Sequence, residues 1–156
     1  MSKFKAFIAT LLLIPSLAFA ADQCANFTDQ NFRDMLTIGP QTGPIDAPEL
    51  GLTGTMTIEF HKNGIVDQHI NFKLAEGSGT FDAKAKWNVT NAMLNLHLTS
   101  AKHSDTHNKK LNKELDAMIK DMKANPDISV SMQDLGLCDG KRSIQSLFQS
   151  VNFLKK

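Results

Sequence analysis

The chain has 156 residues, 42% of them hydrophobic, and its 17 Lys plus Arg stand against 16 Asp plus Glu. So even a balance leaves no bulk charge for a nucleic-acid or acidic-surface partner to read, and the composition excludes collagenous, coiled-coil and wholly disordered chains. Length allows one or two domains.

The first twenty residues have the pattern of an export signal. Lys3 and Lys5 form a positive start, Ala6 to Ile14 an apolar run, and Ala18-Phe19-Ala20 a small-x-small cleavage site. The apolar run falls well short of the roughly 18 residues that span a bilayer, and charges interrupt every later run. The expectation is therefore a signal peptide at 1–20, one exported, soluble domain at 21–156 in the periplasm or outside the cell, and no integral membrane segment after cleavage. Cys24 and Cys138 are the two cysteines. In an oxidising compartment they are expected to pair, which would stabilise the fold by roughly 4 to 5 kcal/mol on a loop-entropy argument.

Thr28 reads as an N-cap for a short helix over Asp29 to Thr37, with Phe32, Met35 and Leu36 at helical spacing. Gly39-Pro40 to Gly51 is rich in breakers and predicts a surface loop. From Gly54 the period becomes two. Met56, Ile58 and Phe60 share one face, and Lys62-Asn63-Gly64 predicts a three-residue hairpin loop that sets Phe60 against Val66, Ile58 against Gln68 and Met56 against Ile70. A four-residue loop at Glu76-Gly77-Ser78-Gly79 would pair Leu74 with Phe81. A turn at Thr90-Asn91 would then pair Trp87 with Leu94. Ser104 to Asn125 predicts one amphipathic helix on Leu111, Leu115, Met118, Ile119 and Met122, ended by Pro126. Ile128, Val130 and Met132 predict a fifth strand, and Ile144 to Phe153 a short helix followed by a brief strand.

Catalytic signatures are missing: there is no G-x-S-x-G, no Gly-rich phosphate loop and no cysteine with a local base. Asp46, Glu49, Glu59 and Asp67 supply carboxylates that nothing in the sequence places across a cleft. His97, His103 and His107, spaced H-x5-H-x3-H, are weak metal candidates: the last two would face one ligand only if the helix began by residue 103. The alternative puts His97 on the outer face of the fourth strand and His103 and His107 at a solvated helix start. His61 and His69 fall on the outer face of the first hairpin. Asn26-Phe27-Thr28 and Asn88-Val89-Thr90 match the glycosylation acceptor pattern. Gln68 is the one polar residue on the inner face of the meander. The expected register sets it beside Trp87, either as the acceptor of the indole N–H or as a polar contact in an apolar cavity.

Phe60-x-x-x-Gly64, the Gly-rich turn, Trp87-x-Val89 and Leu94-x-Leu96 resemble the meander of small secreted lipocalin-like bacterial domains over about residues 52 to 99. The resemblance implies an antiparallel barrel and a small apolar ligand. It carries over no functional residue, and the helix from Ser104 departs from the eight-stranded pattern of that family.

The sequence therefore predicts an α+β fold, a curved antiparallel β-meander or partial barrel covered by one long amphipathic helix. The expected role is a non-enzymatic exported binding module for a small apolar ligand or a protein partner, without cofactor and without nucleic acid. Gln68, Ile70, Phe72, Trp87 and Leu96 would line the ligand site. A secreted hydrolase or a His-based metal-binding protein is the alternative.

Overall fold

The structure, a computed structural model, describes residues 25–48, 51–133 and 135. The expected signal peptide, the Cys24 and Cys138 pairing and the helix and strand expected near the C-terminus lie outside these residues.

Helix α1 spans Asp29–Leu36 and begins where the sequence places its cap. The Thr28 hydroxyl accepts from the Asn31 amide at 3.1 Å, and the Asn31 side-chain carbonyl accepts from the Thr28 amide at 2.9 Å. Two amides that a helix start leaves unpaired are thus satisfied reciprocally. Thr28→Ala is expected to cost about 1 kcal/mol, read as a lower thermal midpoint with unchanged secondary structure. Phe32 and Leu36 are fully buried, and Phe27 stacks on Phe32 with ring centroids 5.6 Å apart.

Six antiparallel strands follow in sequence order: β1 Gln41–Ala47, β2 Leu52–Phe60, β3 Ile65–Leu74, β4 Gly77–Thr90, β5 Met93–His103 and β6 Asp127–Ser131. They form one curled, half-barrel sheet, so the α+β class with a curved antiparallel sheet holds. Helix α2, Lys109–Ala124, lies between β5 and β6 in the chain. The meander therefore has more strands than its alternation suggests, and two helices contribute to its core: Phe32 and Leu36 from α1, and Leu111, Leu115, Met118 and Ile119 from α2.

The first hairpin matches its expected register, with Met56 opposite Ile70, Ile58 opposite Gln68 and Phe60 opposite Val66. Gly64, at φ +83°, takes the left-handed conformation that closes the loop, and its amide donates to the His61 carbonyl at 3.0 Å.

Four local expectations fail for identifiable reasons. The first is the loop at Gly39 to Gly51, where the structure forms β1. Gly43, Ile45 and Ala47 face inward, and Pro44 is accommodated because β1 is an edge strand with only β2 as partner.

The second hairpin turns at Ala75-Glu76, so Leu74 faces Gly77 and Phe81 faces Ile70 rather than Leu74. Gly77 and Gly79 belong to β4. A Cβ on Gly79 would stand 2.8 Å from Ser104 Oγ and 3.2 Å from Phe72 Cζ, so the glycine makes room for the segment leading into α2.

The third turn is Asn91-Ala92, both with positive φ, and it pairs Trp87 with Leu96 instead of Leu94. The Asp29 carboxylate at the start of α1 straps this turn by accepting from the Asn91 and Ala92 amides at 3.0 and 2.9 Å.

Finally, α2 begins at Lys109, not at Ser104. Its cap is Asn108, whose side-chain oxygen accepts from the Lys110 and Leu111 amides. The segment before it is held by Thr106, which is buried and gives both its amide and its hydroxyl hydrogen to the Asn112 side-chain oxygen, at 3.0 and 2.7 Å.

One irregularity alters which side chains point inward. Ala85 faces Leu98 and Lys84 faces Ser100, leaving Thr99 as an extra residue whose hydroxyl donates to the Lys84 carbonyl at 2.9 Å. Before this bulge the inward residues of β5 are Leu94, Leu96 and Leu98; after it they are Ala101 and His103. A single inserted residue thus carries His103 to the helix side of the sheet.

Candidate functional site

The inward side chains of β2, β3 and β4 lie in rows set by the register. Met56, Ile70 and Phe81 make one row and Phe60, Val66 and Ala85 another, and both are buried. The row between them, Ile58, Gln68 and Ala83, is only half-buried. On β5 that row meets buried Ala101, whereas Leu96 and Leu98, half-buried, stand opposite Trp87 and Ala85 of the neighbouring rows. The strip lies midway along β4. Toward one end, Gly77 and Gly79 sit under Thr106 and Leu111; toward the other, the Arg33 guanidinium of α1 donates to the Val89 carbonyl at 2.9 Å. The anchors of both helices therefore flank it.

Gln68 is the one polar side chain in the inward rows of β2, β3 and β4. It does not meet Trp87, because the two-residue turn at Ala75-Glu76 brings Ala83 opposite Gln68. Its side-chain amide donates to the Met56 sulfur at 2.9 Å. The Trp87 indole N–H instead reaches the carbonyls of His61 and Ile65, each at 3.1 Å, and its ring meets Phe60 edge-on at 5.3 Å. Trp87 thus closes the first hairpin against β4.

Of the five side chains expected to line a ligand site, Gln68 and Leu96 are half-buried, whereas Ile70, Phe72 and Trp87 belong to closed rows at 2%, 3% and 8% exposure. Ile58 and Ala83 are not among the five, although their alternation shows which way they point. Picking them out requires knowing which row the helices leave open, and that depends on register.

The outer face of the sheet is polar and cross-linked. Thr42 and Thr57 share a hydrogen bond of 2.8 Å, and the Asn95 side-chain amide donates to the Asn88 side-chain oxygen at 3.0 Å. His61, His69 and His97 pair with Asp67, Asp82 and Asp127. The three histidines weighed as metal ligands go separate ways: His97 to Asp127 on the outer face, His103 to Asp116 of α2 and His107 to Asp105. The helix begins after both His103 and His107, so the face they would have shared does not form. His103 is also no surface decoration, since its side chain is 11% exposed. Among the described residues no three His, Cys, Asp or Glu side chains converge as a metal site would require.

Three carboxylates are held below the usual carboxylate range. At Asp29 the Ala92 amide is the main cause; at Asp105 it is the Asn112 side-chain amide. Burial opposes the charge of Asp67, but hydrogen bonds from Lys84 and His61 outweigh it. A lowered folded value means that each contributes stability above the carboxylate range and loses it as pH falls through that value. Thermal melts between about pH 7 and pH 3 should show falling stability, with a shallower fall in Asp29→Asn, whose strap no longer titrates. An equal slope in the variant would remove Asp29 from the account.

No described helix is long and apolar enough to cross a membrane, a statement that does not extend to strands. No family model matches the chain, and comparison with curated proteins finds no match.

Proposed function

We propose that the protein is an exported, non-enzymatic binding module that holds a small apolar ligand against the inner face of its curved sheet, as the lipocalin-like resemblance of residues 52 to 99 implies. The observation that carries this reading is the strip of Ile58, Gln68 and Ala83, half-buried between two closed rows. A ligand chain that covers the apolar side chains there removes apolar surface of both partners from water, and that burial supplies the driving force.

Gln68 gives the strip its chemistry. A thioether is a weak acceptor, so an amide N–H resting on the Met56 sulfur is readily recruited by a ligand oxygen. The ligand class that fits is an amphiphile with an aliphatic chain and an oxygen acceptor, such as a fatty acid.

Trp87 is the single indole in the chain, and it packs on Phe60 in the row beside the strip. Titration with a medium-chain fatty acid is expected to change its fluorescence saturably, and Gln68→Leu is expected to weaken binding about tenfold through loss of one charge-assisted hydrogen bond. No saturable signal by fluorescence or by calorimetry would overturn the reading and leave a protein partner as the alternative for this face.

A further inference from the structure

His103 ends β5 with its ring on the inner side of the sheet, opposite Phe81 of β4. Its side chain is 11% exposed. Nδ1 lies 2.6 Å from the Ser104 carbonyl oxygen, and Nε2 lies 3.0 Å from Asp116 Oδ1 of α2. A carbonyl only accepts, and so does a carboxylate, whereas a neutral imidazole donates from one nitrogen alone. Both contacts are satisfied together only when both nitrogens carry hydrogen.

We propose that His103 is a proton-operated latch, fastening α2 to the end of β5 as an imidazolium and releasing Asp116 when it loses a proton. The charged groups facing the ring are Asp116 from α2 and Asp105 from the connecting segment, both negative, while β4 presents the uncharged Phe81. Deprotonation turns a lone pair toward one of the two oxygens. The Ser104 carbonyl is the adjoining main chain and cannot retreat, but the Asp116 side chain is 75% exposed and can swing into water. Release therefore occurs at the helix. The contact exists because the Thr99 bulge turns His103 inward, which gives this histidine a different role from His61, His69 and His97 on the outer face.

The latch is fastened while both ring nitrogens of His103 carry hydrogen and open once one has lost it. The test is amide hydrogen exchange of the full chain without ligand, corrected for intrinsic rates, at about pH 5 and about pH 8. Protection of the α2 amides around Asp116 is expected to fall about tenfold between the two, the worth of a charge-assisted hydrogen bond. Asp116→Asn should abolish that dependence, because its amide N–H can donate to a neutral ring, and an exposed site tolerates the change. Nitrogen-15 spectra of the His103 ring should show both nitrogens protonated at about pH 5. Protection that is independent of pH in the native protein, or an undiminished dependence in Asp116→Asn, would overturn the latch.

Discussion

Replacing Gly54 by alanine is expected to be the most damaging single-methyl change in the described fold. A Cβ at this position would stand 1.9 Å from the Asn71 carbonyl oxygen and 3.0 Å from Phe72 Cα. Both obstacles are backbone of the paired strand β3, so no rotamer change relieves the collision; β2 and β3 must separate or bend where Gly54 faces Phe72. Overpacking a core with methylene groups costs about 1 to 3 kcal/mol and occasionally more, and a backbone collision belongs at or above the top of that range. Loss of at least about 3 kcal/mol would lower the thermal midpoint by about 10 °C. Thr53→Ala, one residue away and exposed on the outer face, should stay within about 0.5 kcal/mol of the native protein. Comparable midpoints for the two variants would show that β2 and β3 do not approach as described.

The second large effect is expected at Phe81. Its side chain is fully buried, between Ile70 on β3 and His103 on β5. Phe81→Ala removes a ring whose neighbours come from paired strands and cannot collapse into the space, so the cost is expected at about 3 to 5 kcal/mol. Chemical denaturation should show the midpoint move with little change in slope. Phe81→Leu, which keeps most of the volume, should lose much less. A Phe81→Ala cost below about 1 kcal/mol would mean that the core is not centred on this row.

The parts of the fold legible in the sequence are those specified by a few adjacent residues. Asn63-Gly64 fixes the first hairpin because only one loop length keeps Met56, Ile58 and Phe60 on the same face as their partners. Thr28 fixes the start of α1 by its own hydrogen bonds. The second and third hairpins were displaced by even numbers of residues, and an even displacement leaves every side chain on its expected face. Alternation therefore has no power to choose among such registers, and the neighbour of Gln68 was misplaced for that reason alone. The glycines at 77 and 79 looked like a loop because their purpose, admitting Ser104 and Thr106, depends on residues far away in the chain.

The start of α2 was ambiguous for a local reason. Ser104, Asp105 and Asn108 are all good caps. The choice is made by the positive φ of His107 and by Thr106 bonding to Asn112. The Thr99 bulge did leave a trace, since the apolar alternation of Leu94, Leu96 and Leu98 resumes one residue out of step at Ala101. That slip, followed forward, turns His103 inward. In β1 the alternation of Gly43, Ile45 and Ala47 was present but masked by three nearby prolines, Pro40, Pro44 and Pro48. Of the candidate site, the sequence singled out Gln68 as the polar group of the inner face, and the register supplied its row.

The most direct test of the inner-face site is amide chemical-shift mapping of the protein during titration with a medium-chain fatty acid. The account predicts saturable shifts centred on Ile58, Gln68 and Ala83, reduced by Gln68→Leu, with the outer-face residues Asn71, Lys84 and Asn88 unmoved. Shifts centred on that outer face, or none at ligand concentrations that saturate calorimetric binding, would contradict it.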